Sequence, residues 1–255
     1  MSLEIIDFHT HPFLKNTENM CFYQGTVTES DDFIADMERA GISRFAGTVL
    51  DKSDKSINGI VASNRLALEL YEKWGDKYIP GIHIHPDHIE ASEKEIAIAR
   101  ERGVRLIGEL VPYMHDYRYN HPKMQELLSL LDGGDEVISL HSADPDVADM
   151  TRLAKNHKNK TFVFAHPGDL NRVPHHIEAM RECENIYLDL SGTGLFRYGV
   201  LKFLVDSVGA ERILFGTDYP ICNPGMYVNA VLFEKISDRE KELILSGNAK
   251  RLLKI

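Results

Sequence analysis

Eight short apolar runs recur along the 255-residue chain, each followed by a longer amphipathic stretch, and this alternation restricts the fold more than any other feature. The strand-like runs are residues 3–9, 44–50, 78–85, 105–111, 136–141, 161–166, 186–190 and 212–216. Most are continuously apolar, as expected of parallel strands buried on both faces. Helical periodicity fills the intervals at 31–40, 58–74, 89–102, 122–131, 146–156, 174–183, 199–208 and 226–236, with a last helix over 238–253. In 58–74, for example, Ile60, Ala67, Leu68 and Tyr71 share one face while Arg65, Glu69 and Glu72 lie elsewhere. The pattern predicts one α/β domain over 1–255, a (β/α)8 TIM-type barrel, for which about 250 residues is typical. A doubly wound open sheet is the alternative. No linker or low-complexity tract divides the chain.

The formal charge of −10, without a lysine or arginine run, argues against nucleic acid as a partner and leaves a small-molecule substrate. Cys21, Cys183 and Cys222 form no CxxC pair and no disulfide framework, which favours a reducing, cytoplasmic setting. No apolar run approaches the ~18–20 residues that span a bilayer, and the acidic N-terminal run does not read as a signal peptide. A homo-oligomer is compatible with everything so far.

Chemistry-bearing residues gather at the C-terminal ends of the apolar runs. His9 and His11 follow the first run at a spacing of two, which directs both rings to the same side of a strand. Two imidazoles projecting together are half of a metal site. His141 and His166 each end a run and open a loop, where a barrel gathers its active site, so each is read as a ligand or a catalytic group. Asp218 follows Ile213-Leu214-Phe215, where a carboxylate is costly unless it is paired or bound to a cation. It is read as a ligand that also accepts a proton from metal-bound water, against a simple loop cap. Glu109 interrupts Leu106-Ile107-Gly108 and Leu110-Val111, and is either a bridge between two metals or the partner of a neighbouring arginine such as Arg105.

His83 and His85 repeat the spacing of two and are expected to touch substrate or to support the site. Substrate shape would come from Tyr113, Tyr117 and Arg118 after the fourth run, Arg197 after the seventh, and a long loop over 12–30. Arg118 or Arg197 would suit a carboxylate or phosphate. His88, His115, His121, His157, His175 and His176 read as surface or capping residues.

Laid out in this order, the chain resembles the amidohydrolase superfamily, and within it the branch of aminocarboxymuconate semialdehyde decarboxylase. The resemblance spans nearly the whole chain. It rests on Asp7-x-His9-x-His11, on His141 and His166, on Gly216-Thr217-Asp218-Tyr219-Pro220, and on the closing Gly247-Asn248-Ala249-Lys250-Arg251-Leu252-Leu253. It implies a divalent metal, often zinc, at His9, His11, His141 and Asp218, with His166 catalytic or supporting. Ile107-Gly108-Glu109 and Gly81-Ile82-His83-Ile84-His85 are similar instead to TatD-type hydrolases. That likeness implies a glutamate bridging two ions, with His141 and His166 on the second.

The expected function is a metal-dependent hydrolase cleaving an amide, lactone or other ester bond, with Asp218 and His166 as the catalytic pair. Zinc-bound water with a pKa near 7 would be its nucleophile. The alternative is a lyase, a metal-dependent decarboxylase or hydratase of a carboxylated small molecule. A TatD-type phosphodiesterase ranks below both because of the net negative charge.

Overall fold

The computed structural model describes residues 3–15, 29–143 and 146–255. Eight parallel strands follow one another round a single sheet in chain order. They are β1 (Ile6–Thr10), β2 (Arg44–Gly47), β3 (Tyr78–Ile82), β4 (Leu106–Leu110), β5 (Val137–His141), β6 (Thr161–Ala165), β7 (Ile186–Asp189) and β8 (Ile213–Leu214). Past β8 the chain closes the sheet on β1. Phe8 N–H donates to Phe215 O (2.8 Å), Asp218 N–H to His9 O (2.9 Å) and His11 N–H to Tyr219 O (2.8 Å). The fold is a (β/α)8 TIM barrel, so the open-sheet alternative falls.

Helices α1 (Ser30–Arg39), α2 (Ile57–Trp74), α3 (Ile89–Glu101), α4 (Met124–Ser129), α5 (Val147–Asn156), α6 (Val173–Glu182), α7 (Val200–Val208) and α8 (Pro224–Phe233) form the outer ring. The expected last helix is broken into α9 (Asp238–Glu242), a π-helical turn (Leu243–Gly247) and α10 (Asn248–Leu253). Ser237 and Glu240 form the capping box that starts it. Among the described residues, no helix is long and apolar enough to cross a membrane.

Two apolar cores follow from the two faces of each strand. Ile6, Phe8, Ala46, Leu106, Val137, Val163 and Leu214 fill the barrel interior, closed from below by Ala249 and Leu253 of α10. The larger core, with Phe33, Phe45, Ile107, Ile138, Phe162, Phe164 and Leu188, lies between strands and helices. Of the loop expected over 12–30, residues 16–28 lie outside the described residues. Its flanks meet at an antiparallel bridge between Lys15 and Glu29. Cys183 and Cys222 are free thiols, and Cys21 lies outside the described residues.

Candidate metal centre

Side chains alternate along a strand, so the residues filling the barrel interior fix which later positions face the same way. On β5, Val137 and Ser139 lead by twos to His141; after β8, Leu214 leads to Gly216 and Asp218. β1 and β4 break the rule. Ile6 and Phe8 are interior, yet so is His9; Leu106 is interior, yet so is Glu109. Both strands carry a register irregularity at that point, between Asp7 and Thr10 and between Ile107 and Leu110. A bulge shifts the parity and re-aims the side chain. At Gly108, with φ +92°, a Cβ would meet Ser139 O at 2.3 Å, so the residue that turns Glu109 inward has no room for a side chain. His166 and Asp218 carry φ of +66° and +67°. Non-glycine residues in this region cost about 1–3 kcal/mol and collect at functional sites.

The outcome is one buried cluster at the C-terminal ends of the strands. His9 Nε2 lies 3.2 Å from His11 Nε2. Glu109 Oε2 is 3.5 Å from the first and 3.6 Å from the second, and Asp218 Oδ1 is 3.7 and 3.1 Å from them. The other oxygen of Glu109, Oε1, lies 2.9 Å from His141 Nδ1 and 3.1 Å from His166 Nε2, and those two nitrogens are 3.2 Å apart. Glu109 therefore stands between two donor groups and turns one oxygen to each. All six ligand candidates of the sequence are here.

These atoms fit a cation. The far nitrogen of His9, Nδ1, lies 2.9 Å from Asp189 Oδ2, and that of His11 lies 3.1 Å from Thr48 O. A carboxylate and a carbonyl accept only, so both Nδ1 atoms carry a hydrogen and the two Nε2 atoms, which face each other, are the nitrogens open to a cation. Separations of 3.1–3.7 Å around His9 and His11 are those that bonds of about 2.1 Å to one four-coordinate ion require. Among the described residues, no lysine or arginine pairs with Glu109, Asp189 or Asp218, and all three carboxylates are buried. Burial would raise the pKa of Glu109, but His9, His141 and His166 outweigh it and hold the group well below the usual range. Burial likewise opposes charge on His9, and Asp189 and Glu109 reverse that and raise its pKa. A divalent ion would replace the proton that this charge imbalance otherwise draws onto the imidazoles.

The remaining sequence candidates divide. Tyr113 stands at the mouth, 61 % exposed, its ring 5.2 Å from that of His141. His83 is buried beside the cluster. His85 is also buried, but both its nitrogens are engaged: Nε2 with His115 O (2.8 Å) and Nδ1 as acceptor from Asp87 N–H (3.1 Å). That leaves it no atom for a substrate. Arg118 is exposed, and Arg197 is exposed and 3.8 Å from Asp169, so neither joins the cluster. Arg105 pairs with Asp135 and not with Glu109. His115 and His176, expected at the surface, are buried, because the loop after β4 and the first turns of α6 pack inward over the strand ends.

Asp189 was missed. It ends β7 in Ile186-Tyr187-Leu188-Asp189-Leu190, a carboxylate in an apolar run, the same signal that marked Asp218. Ser191, which accompanies it, lies 2.9 Å from His166 Nδ1 and 3.1 Å from His9 Nδ1. Asp7, the first residue of the sequence motif, stays outside the donor group. Its carboxylate accepts from His9 N–H (3.0 Å) and from Thr217 N–H (3.0 Å), tying β1 to the segment that carries Asp218.

The amidohydrolase family matches residues 6–255, and the chain belongs to that family, a class of metal-dependent barrel enzymes. No curated protein matches it. Among solved structures, 2,6-dihydroxybenzoate decarboxylase from Rhizobium is similar at 16 % identity and TM-score 0.78, covering 99 % of each chain. 5-Carboxyvanillate decarboxylase from Sphingomonas paucimobilis is similar at 13 % identity and TM-score 0.74, covering 100 % of each. A dihydroxybenzoic acid decarboxylase from Polaromonas, with bound manganese and 2-nitroresorcinol, is similar at 17 % identity and TM-score 0.71, covering 99 % of this chain and 97 % of its own. At such identities the likeness establishes the fold. These findings correct the expected function: the matched enzymes are decarboxylases, so cleavage of an amide, lactone or other ester bond gives way to the lyase alternative. The TatD likeness finds no counterpart among them.

Proposed function

We propose that the protein is a metal-dependent decarboxylase of a small carboxylic acid. The observation that carries this reading is the six-residue donor cluster at the mouth of a barrel that superposes over its whole length on decarboxylases. His9, His11, Asp218 and Glu109 would hold a divalent ion, with His141 and His166 on the far side of Glu109. Zinc is the ion the family resemblance implies, manganese the ion bound in the Polaromonas enzyme, and both accept a mixed nitrogen–oxygen donor set. When bound, the ion would supply positive charge to orient and polarise the oxygens of the substrate.

The chain's own residues would manage the proton. Loss of CO2 breaks a carbon–carbon bond, leaves its electron pair on the substrate carbon, and requires one proton there. Asp218, buried at the mouth end of the cluster, is our candidate donor, recharged from water after release of product. With no ion bound beyond Glu109, His166 is the second candidate group. Burial disfavours its charged form, but Glu109, by hydrogen bond and by charge, and Asp218 raise its pKa, so it holds a proton more readily than a free histidine. Ser191 at its Nδ1 fixes the ring. Tyr113 would cover one face of the bound substrate.

The test is CO2 release from a panel of hydroxybenzoates by protein loaded with zinc or with manganese. Release that disappears on chelation and on Asp218→Asn is expected. Hydrolysis of amide or lactone substrates with no CO2 from any acid would sink the reading.

A further inference from the structure

One quarter-turn round the barrel from His9 lies a second group of buried polar side chains that the metal centre does not use. Thr48 continues the interior-facing series of β2 from Ala46, and His83 continues that of β3 through Ile79 and Gly81. His115 and Tyr117 reach in from the segment after β4. Their exposures are 0 % for Thr48, 2 % for His83 and 6 % each for His115 and Tyr117. Yet Thr48 Oγ1, His83 Nδ1, both ring nitrogens of His115 and the Tyr117 hydroxyl have no hydrogen-bond partner among the described residues. The rings of His83 and His115 are 5.1 Å apart. Each unmade buried bond costs about 1–3 kcal/mol, so the unpaired nitrogens of the adjacent His83 and His115 rings mark a position that something polar fills, and Thr48 and Tyr117 each lack a partner as well.

The chemistry of these atoms narrows what fills it. Asn64 holds the backbone of His83 from both sides, accepting from its N–H (2.8 Å) and donating to its carbonyl (3.0 Å), so the ring is fixed in place. His83 Nε2 lies 2.8 Å from Val49 O and must carry the hydrogen, which leaves Nδ1 as a bare acceptor. Burial pushes the His83 pKa down to about 4 and, with His83 and His85 nearby, that of His115 to about 3, so both rings are neutral near pH 7. A neutral His115 offers one donor and one acceptor; Tyr117 and Thr48 can each do either. The negative charge of Glu109 reaches both His83 and Tyr117, and the positive charge of Lys55 reaches His115.

We propose that Thr48, His83, His115 and Tyr117 form a specificity subsite that receives a neutral hydroxyl of the substrate. The hydroxyl donates to His83 Nδ1 and accepts from His115, Tyr117 or Thr48. An analogue without it leaves these groups unpaired. The inference rests on the carboxylic-acid reading above and assigns the far end of that same substrate.

The experiment is calorimetric titration of the metal-loaded protein with benzoate and the three monohydroxybenzoates. At least one monohydroxybenzoate should bind about 10-fold or more tighter than benzoate, the equivalent of one net hydrogen bond. In a Thr48→Val/Tyr117→Phe variant, which keeps shape and removes only hydroxyls, that preference should fall to about 3-fold or less while benzoate affinity stays put. Tyr117→Phe alone should show part of the loss. A preference intact in the double variant, equal binding of all probes, or no binding of any hydroxybenzoate overturns the subsite. CO2 release, measured separately, keeps the two readings apart: hydroxyl preference without release leaves the subsite and removes the decarboxylase, and release without preference does the reverse.

Discussion

Nδ1 of His9 lies 2.9 Å from Oδ2 of Asp189, a residue 180 positions away, and this contact decides which nitrogen of His9 faces the cluster. The strand-seven carboxylate fixes the tautomer, and strand one thereby presents a lone pair. Burial alone would raise the Asp189 pKa, but His9 draws it below the usual range, so the group is an anion that strengthens the imidazole as a ligand. Asp189→Asn should keep the barrel and weaken divalent-metal affinity about 10–100-fold, the usual effect of losing such a support. Competition against a chelator of known affinity measures it. Unchanged affinity would remove Asp189 from the site.

His9 and His11 should behave more severely. Each offers a nitrogen to the same point, so either alanine variant should lose most bound metal, and the double variant all of it. Elemental analysis after gentle desalting reads the stoichiometry; metal retained at the wild-type ratio in the double variant would falsify the assignment.

How far these residues were legible in the sequence depended on parity. His141 and Asp218 were readable because β5 and the segment after β8 alternate regularly from the interior residues Val137 and Leu214. His9 and His11 were readable as a pair by their spacing, although the bulge that turns them inward leaves no mark in composition. Glu109 was legible only as an anomaly, since the irregularity between Ile107 and Leu110 decides its direction and depends on pairing across two strands. His115 was placed at the surface because a loop segment has no periodicity to read, whereas Tyr117 was expected to shape the substrate. Their burial is a tertiary fact, set by how the loop after β4 folds over the strand ends. Arg118 and Arg197 are the opposite case: charge suggested a substrate role, and the loops carry both to the surface.

Buried neutral histidines should make the metal-free protein acid-sensitive. Burial pushes His176 down to about 3 and His83 to about 4. Unfolded, each titrates near 6.5, so below that pH the unfolded chain binds more protons than the folded one and stability falls with pH. Each contributes a loss of about 2 kcal/mol between pH 7.5 and 5. Urea unfolding at both pH values should therefore show a flatter pH dependence in His176→Gln than in the wild type. Parallel dependence in the two proteins would show that His176 is protonated in the fold.

Asp218→Asn separates binding from proton transfer. The amide oxygen still reaches the cluster, so metal content should partly survive. It gives up no proton at neutral pH, so turnover should fall by about 10²–10⁴-fold, the range for loss of a general acid or base. Single-turnover measurements with saturating acid isolate the chemical step. Near-normal rates in the asparagine variant would pass the role of donor to His166.

Glu109 carries the last prediction, because its two oxygens face different nitrogen pairs. Oε2 is turned to His9 and His11, and Oε1 to His141 and His166 at 2.9 and 3.1 Å. One four-coordinate ion has no use for all six groups and an open position together, whereas two ions sharing Glu109 do. Full loading should therefore reach two ions per chain, about 3.5–4 Å apart. The ion at His9, His11 and Asp218 has more protein ligands and should bind the tighter. Glu109→Gln, which keeps the shape and removes the charge, should lower occupancy at both positions, while His141→Ala should empty only the second. Anomalous diffraction from metal-replete crystals distinguishes the cases. A single peak beside His9 and His11, unmoved by His141→Ala, would end the two-ion proposal and leave His141 and His166 free to exchange protons with substrate.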